Sequence, residues 1–201
     1  MGKPSILLNG TSSSGKTSIA RELEMLLPSY TYTSVDNYSD NWAKQNAERI
    51  EHLRGLTRIL GADNEEVIRK SKKLATEVIS GYHSSISTGI RHGLNYILDH
   101  VLWWQPIIDD CVTTLAPFDI LFVGVHCPLE TLKRREIARR DRAVGIAEMQ
   151  FPHVHEGKIY DIEVHTEQKS PFECAATIAE FTKTKDSSVW APFSEKFYVL
   201  K

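Results

Sequence analysis

Apolar and polar positions along this chain keep two alternating rhythms. Ser5-Ile6-Leu7-Leu8-Asn9 is a short apolar run that predicts a buried strand. Ile19, Ala20, Leu23, Leu26 and Leu27 then recur at helical spacing. Further strands are predicted over residues 30–35, 94–98 (ending at Asp99), 119–125, the most apolar of the set, and 160–164. Residues 39–92 carry a long helical pattern that Gly61-Ala62-Asp63-Asn64 breaks into two helices. A last helix starts at Ser170-Pro171-Phe172-Glu173, which combines an N-cap, a proline at the first helical position and a capping-box glutamate. Strands alternating with helices predict an α/β fold: a five-stranded parallel sheet with helices on both faces, in one domain over residues 1–201.

Between the first strand and the first helix stands Gly10-Thr11-Ser12-Ser13-Ser14-Gly15-Lys16-Thr17, which is Gly, four residues, then Gly-Lys-Thr. This spacing in a strand–turn–helix context is that of a phosphate-binding loop. Backbone N–H groups of residues 10–18, Ser18 included, converge on an anion, and the helix start adds the positive end of its dipole. Gly10 and Gly15 allow close backbone approach, Lys16 supplies a point charge for the outer phosphates, and the Thr17 hydroxyl suits Mg²⁺. The loop therefore predicts a bound nucleoside triphosphate with its metal.

Composition narrows the setting. The net charge of −2, with 25% charged residues, gives no reason to expect nucleic acid or membrane as a partner. Cys111, Cys127 and Cys174 are odd in number and scattered, which suits a reducing cytoplasm rather than a disulfide framework. No apolar run reaches membrane-spanning length, and the chain starts on a core strand rather than a signal peptide.

Asp36 and Asp99 end the second and third predicted strands, where ligands of open α/β sheets gather. Asp99 follows an apolar strand and is expected to hold Mg²⁺ with Thr17. Asp36 is expected to receive the proton of an acceptor hydroxyl. Arg135, Arg139 and Arg142 are three or four apart and share a helical face, suited to closing over phosphates as a mobile lid at about residues 135–152. Glu130 and Glu136 offer the alternative of a solvated ion-paired face. The helical region at about residues 37–92, with Trp103 and Trp104, is expected to line an acceptor pocket. His153, His155 and His165 lack metal-ligand spacing and are expected to make surface or hydrogen-bonding contacts. Asp109-Asp110 reads as an exposed stretch early in a helix. The aromatic tail at about residues 186–201 is expected to dock on its own domain or on a second copy in a homodimer.

These stretches resemble the chloramphenicol phosphotransferase family of small P-loop kinases. The likeness lies in Ile6-Leu7-Leu8-Asn9-Gly10 through Thr17, Val35-Asp36, Phe122-Val123-Gly124-Val125-His126-Cys127 and Glu136-Ile137-Ala138-Arg139-Arg140-Asp141-Arg142. It continues in Val154-His155-Glu156-Gly157, Tyr160-Asp161-Ile162-Glu163-Val164 and Ser170-Pro171-Phe172-Glu173-Cys174-Ala175. The resemblance implies a P-loop kinase-type three-layer sandwich with an arginine-bearing lid. It also implies ATP-dependent phosphorylation of a hydroxyl on a small, chloramphenicol-like molecule, a drug-inactivating activity, with Asp36 as the catalytic aspartate. Residues 37–81 have no match in the family, Trp103-Trp104 replaces small residues, and His165 stands where the family tends to have an acid. A kinase for another acceptor, such as a nucleotide-sugar, is therefore the main alternative. A nucleotide-binding regulatory NTPase is the second. It is disfavoured because the chain lacks an Asn/Thr-Lys-x-Asp guanine signature and carries the arginine cluster.

Overall fold

The computed structural model describes residues 3–139, 144–184 and 190. Five parallel strands form one sheet in the order β2-β3-β1-β4-β5: β1 (Ser5–Asn9), β2 (Tyr30–Ser34), β3 (Asn95–His100), β4 (Ile120–His126) and β5 (Ile162–His165). The helices are α1 (Lys16–Leu26), α2 (Val35–Gln45), α3 (Ala47–Leu60), α4 (Glu65–Arg91), α5 (Gln105–Leu115), α6 (Leu129–Arg139), α7 (Ile146–Val154) and α8 (Pro171–Thr184).

Strand alternation divides the core into two layers. On one face Ile6, Leu8, Ile97, Val123 and Val164 meet Ile19, Ala20 and Leu23 of α1 and Cys174, Ala175 and Ile178 of α8. On the other, Leu7, Leu98, Ile120 and Phe122 meet Tyr82 and Ile86 of α4 and the Ile107–Leu115 side of α5. The result is the predicted three-layer α/β sandwich. β1 is central, with β3 and β4 on either side, so the loop that follows it opens at the carboxyl edge where the crossovers diverge.

Two boundaries move from their predicted places. Asp36 does not end a strand: β2 stops at Ser34, whose Oγ accepts the Asn37 N–H at 3.1 Å as the N-cap of α2, so Asp36 lies in that helix's first turn. Asp99, expected to end its strand, is the penultimate residue of β3, paired in register with Ser34 and Leu8. The long helical region is three helices instead of two, because Asn46 (φ −119°, ψ 38°) separates α2 from α3 in addition to the break at residues 61–64. The capping box of α8 forms as expected. Glu173 accepts the Ser170 N–H at 2.8 Å, and Ser170 Oγ accepts the Glu173 N–H at 3.3 Å. In the aromatic tail, Trp190 docks on its own domain: it is fully buried, edge-on to Phe122, and its indole N–H donates to the Leu115 carbonyl at 3.2 Å. The other tail residues and Arg142 lie outside the described residues.

Candidate active site

A cleft of about 530 Å³ opens beside the loop, lined by Ser12, Ser13, Gly15, Lys16, Thr17, Ser18, Arg21, Asp36, Asp99, Val101, Arg135, Ala138, Arg139, Thr166 and Pro171. Both carboxylates and two of the three predicted arginines therefore share one cleft with the loop. Gly10, Thr11 and Ser14 of the same loop are buried and do not line the cleft. A Cβ on Gly10 would stand 2.5 Å from the Val125 carbonyl, so only glycine fits there, and Gly15 takes the left-handed φ of 98° from which α1 starts. Ser13 shares that conformation, at φ 65°, without being glycine.

The loop's polar atoms are arranged for an anion. Thr11 Oγ1, Ser13 Oγ and Ser14 Oγ are buried with no protein hydrogen-bond partner, an expensive condition that phosphate oxygens and their waters would relieve, most directly at Ser13 in the cleft wall. Lys16 is folded back: its Nζ donates to the Gly10 and Thr11 carbonyls at 2.9 and 2.8 Å and lies 3.7 Å from Asp99 Oδ1. Thr17 Oγ1 donates to Asp99 Oδ2 at 2.7 Å, and Tyr32 OH approaches the same oxygen at 3.5 Å. Burial, and then the Asp99 charge, push the Tyr32 hydroxyl above its ordinary pKa, so it stays a neutral donor. A hydroxyl and a carboxylate in contact at the foot of the phosphate loop form an all-oxygen donor set that fits Mg²⁺. Asp36 is solvent-exposed in the positive end of α2.

The arginines divide. Arg139 is exposed on the cleft wall. Arg135 is tied down: its guanidinium donates to Thr166 Oγ1 at 3.0 Å and to the Thr166 carbonyl at 2.9 Å, while Thr166 Oγ1 donates to the Ser14 carbonyl at 2.8 Å. The α6 arginine is thus connected to the phosphate loop through a threonine to which no sequence motif pointed. Glu136 is not part of a solvated ion-paired face. It is buried, and its carboxylate accepts the Gly145 and Ala147 N–H groups at 2.8 and 3.0 Å, capping α7. The residues expected to line an acceptor pocket do not line this cleft. Neither Trp103 nor Trp104 lines the cleft, Trp104 packs against the α5-side core, and the hollow between α3 and α4 shares no lining residue with the cleft.

The histidines make surface and hydrogen-bonding contacts. His155 Nδ1 and Tyr160 OH share a hydrogen bond at 2.7 Å, and the His126 ring stacks with His155 at 3.9 Å and with His165 at 5.1 Å. Burial, together with His126, Lys158, Lys16 and His165, depresses the His155 pKa to about 3. His83, His100 and Cys111 bring three potential metal-ligand atoms within 4.8 Å. Their geometry is instead that of hydrogen bonds: the two rings face each other nearly coplanar (24°), with Nε2 atoms 2.8 Å apart, closer than the roughly 3.3 Å that two nitrogens on one tetrahedral zinc would keep. The direction of the chain follows from its end. His100 Nδ1 accepts the Val101 N–H at 2.7 Å, so its Nε2–H donates to His83 Nε2, and His83 Nδ1–H donates to Asp110 at 2.5 Å. Asp110, which also accepts from Ser80 at 2.8 Å, is therefore half-buried and engaged rather than an exposed helix residue.

Fold and cleft together define a P-loop phosphotransferase. The model of the chloramphenicol phosphotransferase-like proteins matches residues 4–183, and the chain belongs to that family. A Mycobacterium tuberculosis protein named for a proposed O-phosphotransferase activity is 28% identical over 184 residues, covering 87% of this chain and 80% of the relative. Among solved structures, the adenylylsulfate (APS) kinase of M. tuberculosis in complex with AMPPNP and APS is similar at a TM-score of 0.60 and 16% identity, covering 91% of this chain and 99% of that one. Shikimate kinase from Acinetobacter baumannii in complex with shikimate is similar at 0.57 and 14%, covering 92% and 95%. At these identities the two structures speak for the fold.

Proposed function

We propose that the protein transfers the γ-phosphoryl group of ATP to a hydroxyl of a small molecule. The observation that carries this is the single cleft that gathers the phosphate loop, the Thr17–Asp99 pair, Asp36 and two arginines. Lys16 exchanges its loop carbonyls for phosphate oxygens, and the loop hydroxyls and the start of α1 hold the triphosphate. Thr17 and Asp99 hold Mg²⁺, which neutralises charge on the phosphates. The acceptor oxygen forms its bond to phosphorus in line as the bridging oxygen leaves with ADP, and its proton passes to Asp36. Arg139 offsets charge that develops on the migrating group, and Arg135 does so from the position that Thr166 fixes for it. Family membership makes chloramphenicol the first acceptor to test.

The test is ADP release from Mg²⁺-ATP with and without each member of a panel of hydroxyl compounds, followed by mass spectrometry for an added phosphate. Acceptor-dependent release with a phosphorylated product is the expected result. Release that ignores every acceptor would favour a regulatory NTPase.

A further inference from the structure

The phosphate loop makes one contact that its nucleotide-binding role does not explain. The Ser12 N–H, inside the loop, donates to Gln150 Oε1 of α7 at 2.8 Å, and both residues are buried. Loop amides are expected to turn toward the anion, whereas this one is turned to a side chain 138 residues further along.

The partner is held rigidly. Glu136 caps the start of α7 through the Gly145 and Ala147 N–H groups. At its other end the Val154 carbonyl accepts from Asn9 Nδ2 at 2.8 Å, and Asn9 is the last residue of β1, directly before the loop. Ala147 and Val154 are fully buried. Gln150 therefore reaches the loop from a helix fixed to the same strand that carries the loop. The residue after Ser12 is Ser13, held at a left-handed φ of 65° with its hydroxyl unpartnered in the cleft wall. A non-glycine residue keeps such a conformation only where its surroundings determine it.

We propose that Gln150 is a positioning residue of the phosphate-binding loop, a neutral acceptor that holds the Ser12 N–H outward and so keeps Ser13 and the turn beyond it facing the phosphates. The amide is suited to this where a carboxylate is not. Both oxygens can accept from Ser12, but a carboxylate would place a negative charge against the wall of an anion site. This inference rests on the reading that the loop binds ATP.

Two near-isosteric variants test it by calorimetric titration with Mg²⁺ and a non-hydrolysable ATP analogue, at a temperature where thermal melts show every protein folded. Gln150→Met keeps the side-chain length and loses the acceptor. Gln150→Glu keeps the acceptor and adds the charge. Each is expected to raise the Kd for the analogue tenfold or more. A purely structural glutamine would lower Tm in the Met variant and leave both Kd values alone. Either variant binding within twofold of wild type overturns the proposal. Should Gln150→Met fail to fold, Gln150→Glu decides alone, since it preserves the hydrogen bond. Wild-type protein that fails to bind the analogue would overturn the nucleotide reading itself, a different outcome from equal binding by all three.

Discussion

The Lys16 ammonium sits against two loop carbonyls and Asp99, so a triphosphate must compete with the protein for it. Lys16→Ala is expected to reduce phosphoryl transfer by far more than tenfold, measured as ADP release. Its thermal stability will also shift, because the side chain is buried and bonded rather than loose in solvent. Asp36→Asn should lower kcat a hundredfold or more, on the order of a lost general base, while the Kd for nucleotide and the Tm stay near wild type. Collapse of nucleotide binding with kcat preserved would move Asp36 to the metal site. Residues 10–17 were legible because their spacing encodes a local turn. Asp36 was legible as a residue but not as part of a helix: the β-rich run 30–35 hides the Ser34 cap, and Val35 is buried under either reading. Thr166 and Gln150 were not legible. Their bonds to Ser14 and Ser12 span 152 and 138 residues, and no periodicity reports a contact at that range.

Among the elements, α6 and α7 answer to opposite demands. α6 presents Arg139 to the cleft from an exposed position, whereas α7 is fastened to α6, to the loop and to β1. Hydrogen exchange under a non-hydrolysable ATP analogue should therefore slow along residues 135–139, while α7 is protected with or without ligand. Fast exchange in unliganded α7 would return that helix to the moving part. Glu136→Ala should be costly, because it strands two N–H groups at the start of α7. The expected loss is roughly 2–5 kcal/mol, or about 5–15 °C in a thermal melt, with Glu136→Gln milder since one acceptor survives. Most helices were legible in the sequence, but α7 was not, and Asn46 was not a visible break because it carries neither Gly nor Pro punctuation.

At the scale of the whole molecule, the layered sandwich was legible from strand–helix alternation, because a period of 2 or 3.6 is a local property of the chain. The docking of Trp190 against Phe122 and Leu115 depends on where a distant tail returns, so only its apolar character was readable. Part of the global pH response follows from imidazoles whose pKa values are depressed. The His155 pKa of about 3 lies below the ordinary value near 6.5, so the unfolded chain binds the extra proton between those limits. This contribution to stability is complete above about pH 6.5 and is lost as pH falls toward 3. His155→Asn, whose side-chain amide can hydrogen-bond to Tyr160 in place of Nδ1, should flatten the fall of Tm with acid. It should not level it, because His100 and His126 are depressed in the same direction. A variant curve parallel to wild type below pH 6 would remove His155 from the account.

The chain from Asp110 through His83 to His100 has a consequence for how this protein can vary. Each imidazole is locked into one tautomer by its neighbour, so every member has a job only while the others are present. Losing one strands a buried polar group, whereas exchanging the set for apolar residues leaves only the Val101 N–H and the half-buried Ser80 hydroxyl to find new partners. Descendants of this sequence should therefore inherit the trio together or lose it together. A survey of family members that finds His83, His100 and Asp110 drifting independently would mean that each pays its own way in the fold.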